Sequence, residues 1–272
     1  MRVFSVRKMR KFNKSLTLID SAQVFHWRKT PEGYAAIVNG RIMTDEDDSE
    51  AAAFYFDDAR DYSRLACACR AYPKAMEAVQ SLPGLRVLNQ PAWEALVAFI
   101  LSANNNVKRI TRLVESLCAH YGSRAEYLGV TLYGFPTSAA LARANEAELR
   151  EKTRCGYRAP YLIRSARQIE NGFDLDAVAK MNYDEAHRLL LTLPGVGDKV
   201  ADCIQLFGMG HSCAFPVDVW VERLMKDWFV PEAATKKEIR AAAHALFGED
   251  AGLIQQSLFH CARLGLIHLE KD

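Results

Sequence analysis

Between residues 189 and 218 the chain reads Leu189-Leu-Leu-Thr-Leu193-Pro194-Gly195-Val196-Gly197-Asp198-Lys199-Val200-Ala201 and then, after a short interval, Pro216-Val217-Asp218. Ala186, Leu189, Leu190 and Leu193 recur at helical spacing until Pro194-Gly195 stops them. Val200, Cys203, Ile204 and Phe207 resume the same spacing downstream. The pattern is therefore helix, hairpin, helix over about 186–208. Gly195 and Gly197 bracket one apolar residue, so the backbone can turn tightly with its amides uncovered. Such a hairpin opening into a helix N-terminus is a place for a phosphate.

Two further residues raise this above a phosphate clamp. Lys199 falls in the first turn of the second helix, where the positive end of the dipole disfavours an ammonium and suits an amine nucleophile. Asp218, nineteen positions on, follows Pro216 and precedes Val217, Val221 and Leu224, which places its carboxylate at the start of another helix. Taken singly, a lysine here is a phosphate contact and an aspartate after proline is an N-cap. Together, beside a phosphate clamp, they point to chemistry on a nucleotide's sugar carbon.

Charge is informative by its distribution rather than its sum, which is only +2 over 272 residues. Arg150, Lys152, Arg154, Arg158, Arg164 and Arg167 fall in a stretch whose one acid is Glu151, and Lys108, Arg109 and Arg112 form a second basic stripe. Acids gather instead at Asp45, Glu46, Asp47, Asp48, Glu50, Asp57, Asp58 and Asp61. A basic face set apart from an acidic patch fits a nucleic-acid surface; a solvated helix face is the plainer alternative for either stripe. No apolar run approaches the roughly 18 residues of a membrane span. Seven cysteines, an odd number without a metal-knuckle spacing, suit a reduced intracellular protein. The basic first fourteen residues read as a frayed start rather than a DNA-touching arm or a targeting leader.

The organisation divides in two. Residues 15–60 hold short runs (Leu16 to Ile19, Gln23 to Trp27, Tyr34 to Val38, Arg41 to Thr44, Ala51 to Phe56), with Asn39-Gly40 as a hairpin signal. They predict a small antiparallel sheet in a β-rich N-terminal domain over 1–85. Helical patterns dominate from about residue 61, with breaks near Pro83-Gly84, Gly122, Pro136, Gly172, Pro194 and Pro216, and predict a helical domain over 86–272. The fold class is mostly α with a small antiparallel β-sheet.

The stretch from Leu193 to Ile204, with Pro216-Val-Asp218-Val, resembles the helix-hairpin-helix/Gly-Pro-Asp DNA glycosylases, and among them the 8-oxoguanine DNA glycosylase/AP lyases. The likeness continues through Phe25-His-Trp27, Ser102-Ala-Asn104-Asn105-Asn106, Tyr133-Gly-Phe135-Pro136, Gly156-Tyr157-Arg158, Tyr183 to His187 and Gln255 to Phe259, in order from about residue 15 to 265. It implies a helix-hairpin-helix DNA glycosylase fold and a bifunctional enzyme of base-excision repair, an N-glycosylase and abasic-site lyase. Its partner would be double-stranded DNA carrying an oxidised guanine opposite cytosine, bound by a monomer without a membrane, in the cytoplasm or nucleoid of a bacterium or the nucleus of a eukaryote. No four-cysteine cluster stands near the C-terminus, so the iron–sulfur cluster of the endonuclease III branch is not expected. No metal and no organic cofactor is expected either, beyond a monovalent cation on the hairpin carbonyls.

The resemblance also distributes roles. The damaged base must leave the stack to be reached. Asn104 would fill the vacated space, Tyr157 would wedge beside it, and Arg158 and Arg109 would contact the orphaned cytosine, to which a planar guanidinium fork is suited. Gly195, Val196 and Gly197 would lie against the DNA backbone. The extruded base would sit near the Gln255 amide, between Phe259 and Cys203, with the backbone carbonyl of Ala22 accepting the N7 proton that distinguishes 8-oxoguanine from guanine. Lys199 would attack the anomeric carbon and Asp218 would stabilise the positive charge building on the sugar.

Three positions depart from the family's pattern. Ala22 replaces a usual glycine, a change that keeps the backbone acceptor if φ stays negative. Trp220 stands where eukaryotic relatives carry histidine, and Ala262 where they carry aspartate. If those two are partners, a His–Asp contact has been replaced by an indole offering one N–H or a ring face to DNA. Two other readings stay open: a glycosylase of the same fold for another damaged purine, and a non-catalytic helix-hairpin-helix DNA-binding module.

Overall fold

A computed structural model describes residues 12–266; the basic start read above lies outside them except for Phe12 to Lys14. A three-stranded antiparallel sheet opens the fold, β1 (Arg28–Thr30), β2 (Gly33–Val38) and β3 (Arg41–Thr44). Asn39 (φ 49°) and Gly40 (φ 74°) turn β2 into β3 with two left-handed residues, which suits the right-handed twist of the flanking strands. Alternation along β2 sends Ala36 and Val38 to one core, with Leu18, Val24, Trp27, Met43, Tyr55 and Phe56. Ala35 and Ile37 face the other way and meet Leu132. Both faces of this strand are covered, which is why it is apolar throughout.

Two of the five runs expected to make this sheet, 34–38 and 41–44, are strands. Residues 16–20 form a π-helical turn and 23–27 are irregular. Residues 50–55 are helix α1 (Glu50–Tyr55), capped by Ser49, whose Oγ accepts the Ala52 N–H at 3.2 Å. Apolar runs this short do not distinguish strand from helix. The helical part also contains an unexpected hairpin, β4 (Arg124–Tyr127) and β5 (Val130–Tyr133), which supplies Leu132.

The remaining helices are α2 (Leu65–Ala68), α3 (Pro73–Ser81), α4 (Ala92–Ser102), α5 (Val107–Tyr121), α6 (Ser138–Ala142), α7 (Glu146–Thr153), α8 (Ala159–Glu170) and α9 (Leu175–Ala179). They continue with α10 (Tyr183–Leu190), α11 (Asp198–Gly208), α12 (Val219–Trp228), α13 (Lys236–Phe247) and α14 (Ala251–Leu264). Helix α4 is the axis of the large core, and every residue from Glu94 to Ser102 is buried. A helix apolar on all sides belongs at the centre of a fold. It crosses α11 closely: a Cβ on Gly208 would stand 2.9 Å from the Ala95 Cβ, and Phe99 stacks on Phe207 with centroids 5.1 Å apart. The same core takes in Leu65, Ala75, Ala78 and Val79, so residues 65–85 pack with the helical part of the chain rather than with the sheet. Among the described residues no helix is long and apolar enough to cross a membrane.

Candidate active site and DNA-facing surface

The hairpin between α10 and α11 is held from beneath. Burial pulls the His187 imidazole down, but the carboxylates of Asp202 and Asp198 outweigh it and raise its pKa. Its Nε2 lies 3.0 Å from Asp198 Oδ1 and its Nδ1 3.3 Å from Asp202 Oδ1. Arg240 on α13 joins both aspartates at 3.2 and 3.3 Å, and the Tyr183 hydroxyl donates to Asp202 at 2.7 Å. The hydrogen bond from His187, with Arg240 behind it, holds the Asp198 carboxyl below the usual range. This network locks the start of α11 and so the bearing of the next residue, Lys199.

Of the two hairpin glycines only Gly195 needs to be glycine. Its φ is 82° and a Cβ would strike the Tyr161 side chain at 2.7 Å. Gly197, the N-cap of α11, has φ −105° and open space around its Cα, so the expectation that both relieve a tight turn holds for one of them. Val196 between them is buried.

Lys199 extends Nζ to the Ser102 hydroxyl at 3.0 Å and over the Phe99 ring at 5.2 Å. Ser102, at the end of α4, in turn donates to the Phe99 carbonyl at 2.7 Å. Cys203, one turn after Lys199, is buried and its thiol is pushed up to about 12 by burial, while Lys199 and Asp218 both act on it electrostatically. The amine, thiol and carboxylate therefore share one small region. Asp218 caps α12, Oδ1 accepting the Val221 N–H at 2.8 Å. Two residues earlier, the Pro216 carbonyl accepts from Gln255 Nε2 at 3.1 Å. That bond fixes the Gln255 side chain, which is buried, and leaves its Oε1 without a hydrogen-bond partner among the described residues. Phe259, one turn on along α14, is partly buried. The structure thus gathers Lys199, Asp218, Cys203 and Gln255 around the mouths of α11 and α12.

Ser21, the residue before Ala22, is tied to α14: Gln256 and His260 both donate to its carbonyl, at 2.7 and 2.5 Å. Ala22 itself has φ 57°, not negative, so the condition under which alanine replaces glycine freely is not met. Sequence reasoning missed Ser102, Gln256 and His260. Gln256 and His260, polar residues four apart and so on one side of α14, were the available signal.

The residues assigned to the DNA face divide. Asn104 is exposed and left-handed (φ 50°), with Nδ2 3.5 Å from the Tyr157 hydroxyl, and Tyr157 is half exposed. Val219 and Trp220 are also exposed, immediately after Asp218, and Arg109 is exposed on α5. Arg158 differs from its expected role: it is 3 % exposed, with Nε donating to the Ala103 carbonyl at 3.0 Å and its plane 4.3 Å from the Tyr157 ring. It braces the Asn104 loop, its fork donating to main-chain carbonyls of Ala103 and Asn104. The longer basic stripe is partly neutralised, since Arg150 pairs with Glu146 and Lys152 with Glu148 one turn earlier on α7.

The sequence profile of the HhH-GPD superfamily of base excision DNA repair proteins matches residues 97–249, more than half of the chain and including the hairpin and Asp218. This chain belongs to that family. Two relatives place it further within the HhH-GPD proteins. An N-glycosylase/DNA lyase of Saccharomyces cerevisiae is 40 % identical over 178 residues, 60 % of this chain and 47 % of that protein. A probable N-glycosylase/DNA lyase of Methanothermobacter thermautotrophicus is 34 % identical over 209 residues, 70 % and 67 % of the two chains. The chain thus spans about half the length of the yeast relative and two thirds of the archaeal one. Among solved structures, an 8-oxoguanine glycosylase/lyase of Clostridium acetobutylicum, in complex with DNA containing cytosine opposite 8-oxoguanine, superposes with a TM-score of 0.86. It is 32 % identical and covers 94 % of this chain and 93 % of its own. An Archaeoglobus fulgidus 3-methyladenine glycosylase, 18 % identical with a TM-score of 0.71, shares the fold.

Proposed function

We propose that this protein excises 8-oxoguanine opposite cytosine from double-stranded DNA and then nicks the abasic strand. The observation that carries the proposal is the placement of the Lys199 amine, held at 3.0 Å by Ser102 and sharing the Cys203 region with the Asp218 carboxylate. The solved relative from Clostridium acetobutylicum, named for this activity, supports the choice of lesion.

The proposed chemistry uses the residues gathered above. Asn104 and Tyr157 occupy the gap as the nucleotide rotates out, and Arg158 and Arg109 turn to the cytosine left behind. The base enters beside Gln255, whose unpartnered Oε1 accepts N–H groups on its Watson–Crick edge, and Ala22 accepts the N7 proton. The Lys199 amine attacks C1′ as the C1′–N9 bond breaks, and the base departs with the bonding pair and a proton. Asp218 lowers the energy of the cationic sugar in that step. Opening of the sugar ring then gives a Schiff base between Lys199 and C1′. Loss of a C2′ proton expels the 3′ phosphate by β-elimination, and water releases the lysine.

The reaction runs on these side chains. Leu193 and Pro194 of the hairpin each already accept one hydrogen bond, from Val196 N at 3.1 Å and Ser165 Oγ at 2.8 Å. A monovalent cation there would use the second lone pair of each carbonyl, and no step depends on it. The working form is a monomer, in a compartment that holds DNA and keeps the seven free thiols reduced.

Borohydride trapping on a duplex with one 8-oxoguanine opposite cytosine tests this reading. Wild type forms a covalent adduct and Lys199→Gln, still binding the duplex, forms none. Base release without an adduct in either protein overturns the role of Lys199. Neither adduct nor release overturns the lesion assignment.

A further inference from the structure

Residues 20–23 run from the last residue of the π-helical turn into the irregular stretch ahead of β1, and nearly all of their main-chain carbonyls are taken by side chains. Arg263 donates to the Asp20 carbonyl. Gln256 and His260 converge on the Ser21 carbonyl, at 2.7 and 2.5 Å. Gln90 donates to the Gln23 carbonyl at 2.7 Å. Ala22 is the one residue of the four whose carbonyl takes no protein donor among the described residues. Its backbone is left-handed at φ 57°, a region in which an alanine Cβ crowds its own peptide and which glycine enters freely. A strained conformation persists only where its surroundings over-determine it.

Three of the holding donors, Gln256, His260 and Arg263, lie one turn apart along one side of α14, interleaved with Gln255 and Phe259 of the proposed base pocket. His260 is fully buried, and Arg263 Nη2 stands 3.3 Å from its Nδ1. That Nδ1 therefore accepts, and Nε2 carries the proton given to Ser21.

We propose that Gln256, His260 and Arg263 are positioning residues that strap segment 20–23 to α14 and hold the strained Ala22 carbonyl at the base pocket, so that lesion recognition depends on them. This rests on the 8-oxoguanine reading given above. In a chain with glycine at position 22 the left-handed turn costs nothing and the strap is needed less. Here alanine makes it necessary. The strap and Ala22 therefore act as a unit, and their substitutions must be non-additive. The abasic-site step, by contrast, needs Lys199 and Asp218 but no base in the pocket, and is independent of the strap.

The test compares wild type, Gln256→Ala and His260→Ala, each also in an Ala22→Gly background. Single-turnover rates are measured on a duplex with 8-oxoguanine opposite cytosine and on one with a preformed abasic site. Each strap variant is expected to lose at least tenfold in 8-oxoguanine release while abasic-site cleavage stays within twofold of wild type. In the Ala22→Gly background the same changes should cost less than threefold. Equal losses on both duplexes, or the same loss with glycine at 22, overturn the proposal and leave the three residues as supports of the fold. Gln256→Ala removes one donor only and keeps the test decisive if His260→Ala does not fold. Wild type that cleaves the abasic duplex but releases no 8-oxoguanine overturns the lesion assignment, and the strap's role with it.

Discussion

On the function proposed above Asp218 has two jobs, and one pair of substitutions separates them. Its Oδ1 accepts the Val221 N–H at 2.8 Å and caps α12, a structural task that any short acceptor can do. Asparagine keeps that acceptor and removes the charge; alanine removes both. Loss of an N-cap costs about 1 kcal/mol, which in a chain of this size lowers Tm by roughly 2–4 °C. Asp218→Asn should therefore melt with wild type, and Asp218→Ala a few degrees lower. The catalytic effect has another origin. A full negative charge about 4 Å from a cationic sugar, at an effective dielectric near 20, contributes about 4 kcal/mol, or nearly a thousandfold in rate. Both variants should then lose on the order of 10²–10³ in single-turnover release of 8-oxoguanine. If Asp218→Asn keeps release within tenfold of wild type, the carboxylate is a cap alone and its charge has no part in the step.

Three other outcomes follow from the same coordinates. Glu94, buried in the first turn of α4, has its carboxyl pushed up to about 8 by burial, and the neighbouring His26 ring, lowered to about 4 by burial, supplies no counter-charge near neutrality. A carboxyl raised in the folded state stabilises fully below its unfolded value and loses that contribution as pH rises through 8. Glu94→Gln should therefore gain on wild type by about 3 kcal/mol between pH 5 and 7.5 in Tm-derived stability, and a constant difference across that range refutes the argument. Gly195→Ala should destabilise by about 2 kcal/mol or more, because φ is 82° and the new Cβ meets Tyr161. Gly197→Ala should melt with wild type, so equal losses in Tm contradict the assignment of one structural glycine. Ser102→Ala removes the hydrogen-bond partner of the Lys199 amine and should slow adduct formation on an abasic duplex by roughly tenfold, or about 1.4 kcal/mol; an unchanged trapping rate places Ser102 outside the step.

What the sequence made legible was mostly local. Pro194-Gly195, Asn39-Gly40 and the apolar spacing around Lys199 carry their conformations within a few residues, and the hairpin, the turn from β2 to β3 and the mouth of α11 follow from them. The β4–β5 hairpin turns through Leu128 and Gly129, both left-handed at φ 49° and 78°, and leucine is not a residue that signals such a turn. Its strands exist because Leu132 completes the outer face of β2, a contact made about a hundred residues away. Residues 51–56 are a short apolar run that fits a strand as well as a helix, and the run Asp47-Asp48-Ser49-Glu50, with Ser49 as cap, carries the helix start. The sign of φ at Ala22 was beyond local reading, because it depends on donors more than two hundred positions along the chain.

The run Ser102-Ala103-Asn104-Asn105-Asn106 shows why naming a site residue does not fix its task. As sequence it is a polar turn after an apolar helix, with one asparagine aimed at DNA. In the fold each position answers to a different partner. Ser102 holds the Lys199 amine, the Ala103 and Asn104 carbonyls hold the Arg158 guanidinium, Asn105 Nδ2 donates back to Leu101 at 2.8 Å, and Asn106 caps α5. The Arg158 guanidinium, the Asn104 side chain and the Lys199 amine are thus joined through three consecutive residues. Arg158 cannot turn to a base while Ala103 and Asn104 hold it, and those residues cannot shift without straining the peptide that carries Ser102. The groups that would read the gap and the group that would attack the sugar are accordingly coupled through one short stretch of main chain, so a change at any one of Ser102, Ala103 and Asn104 is felt by the other two.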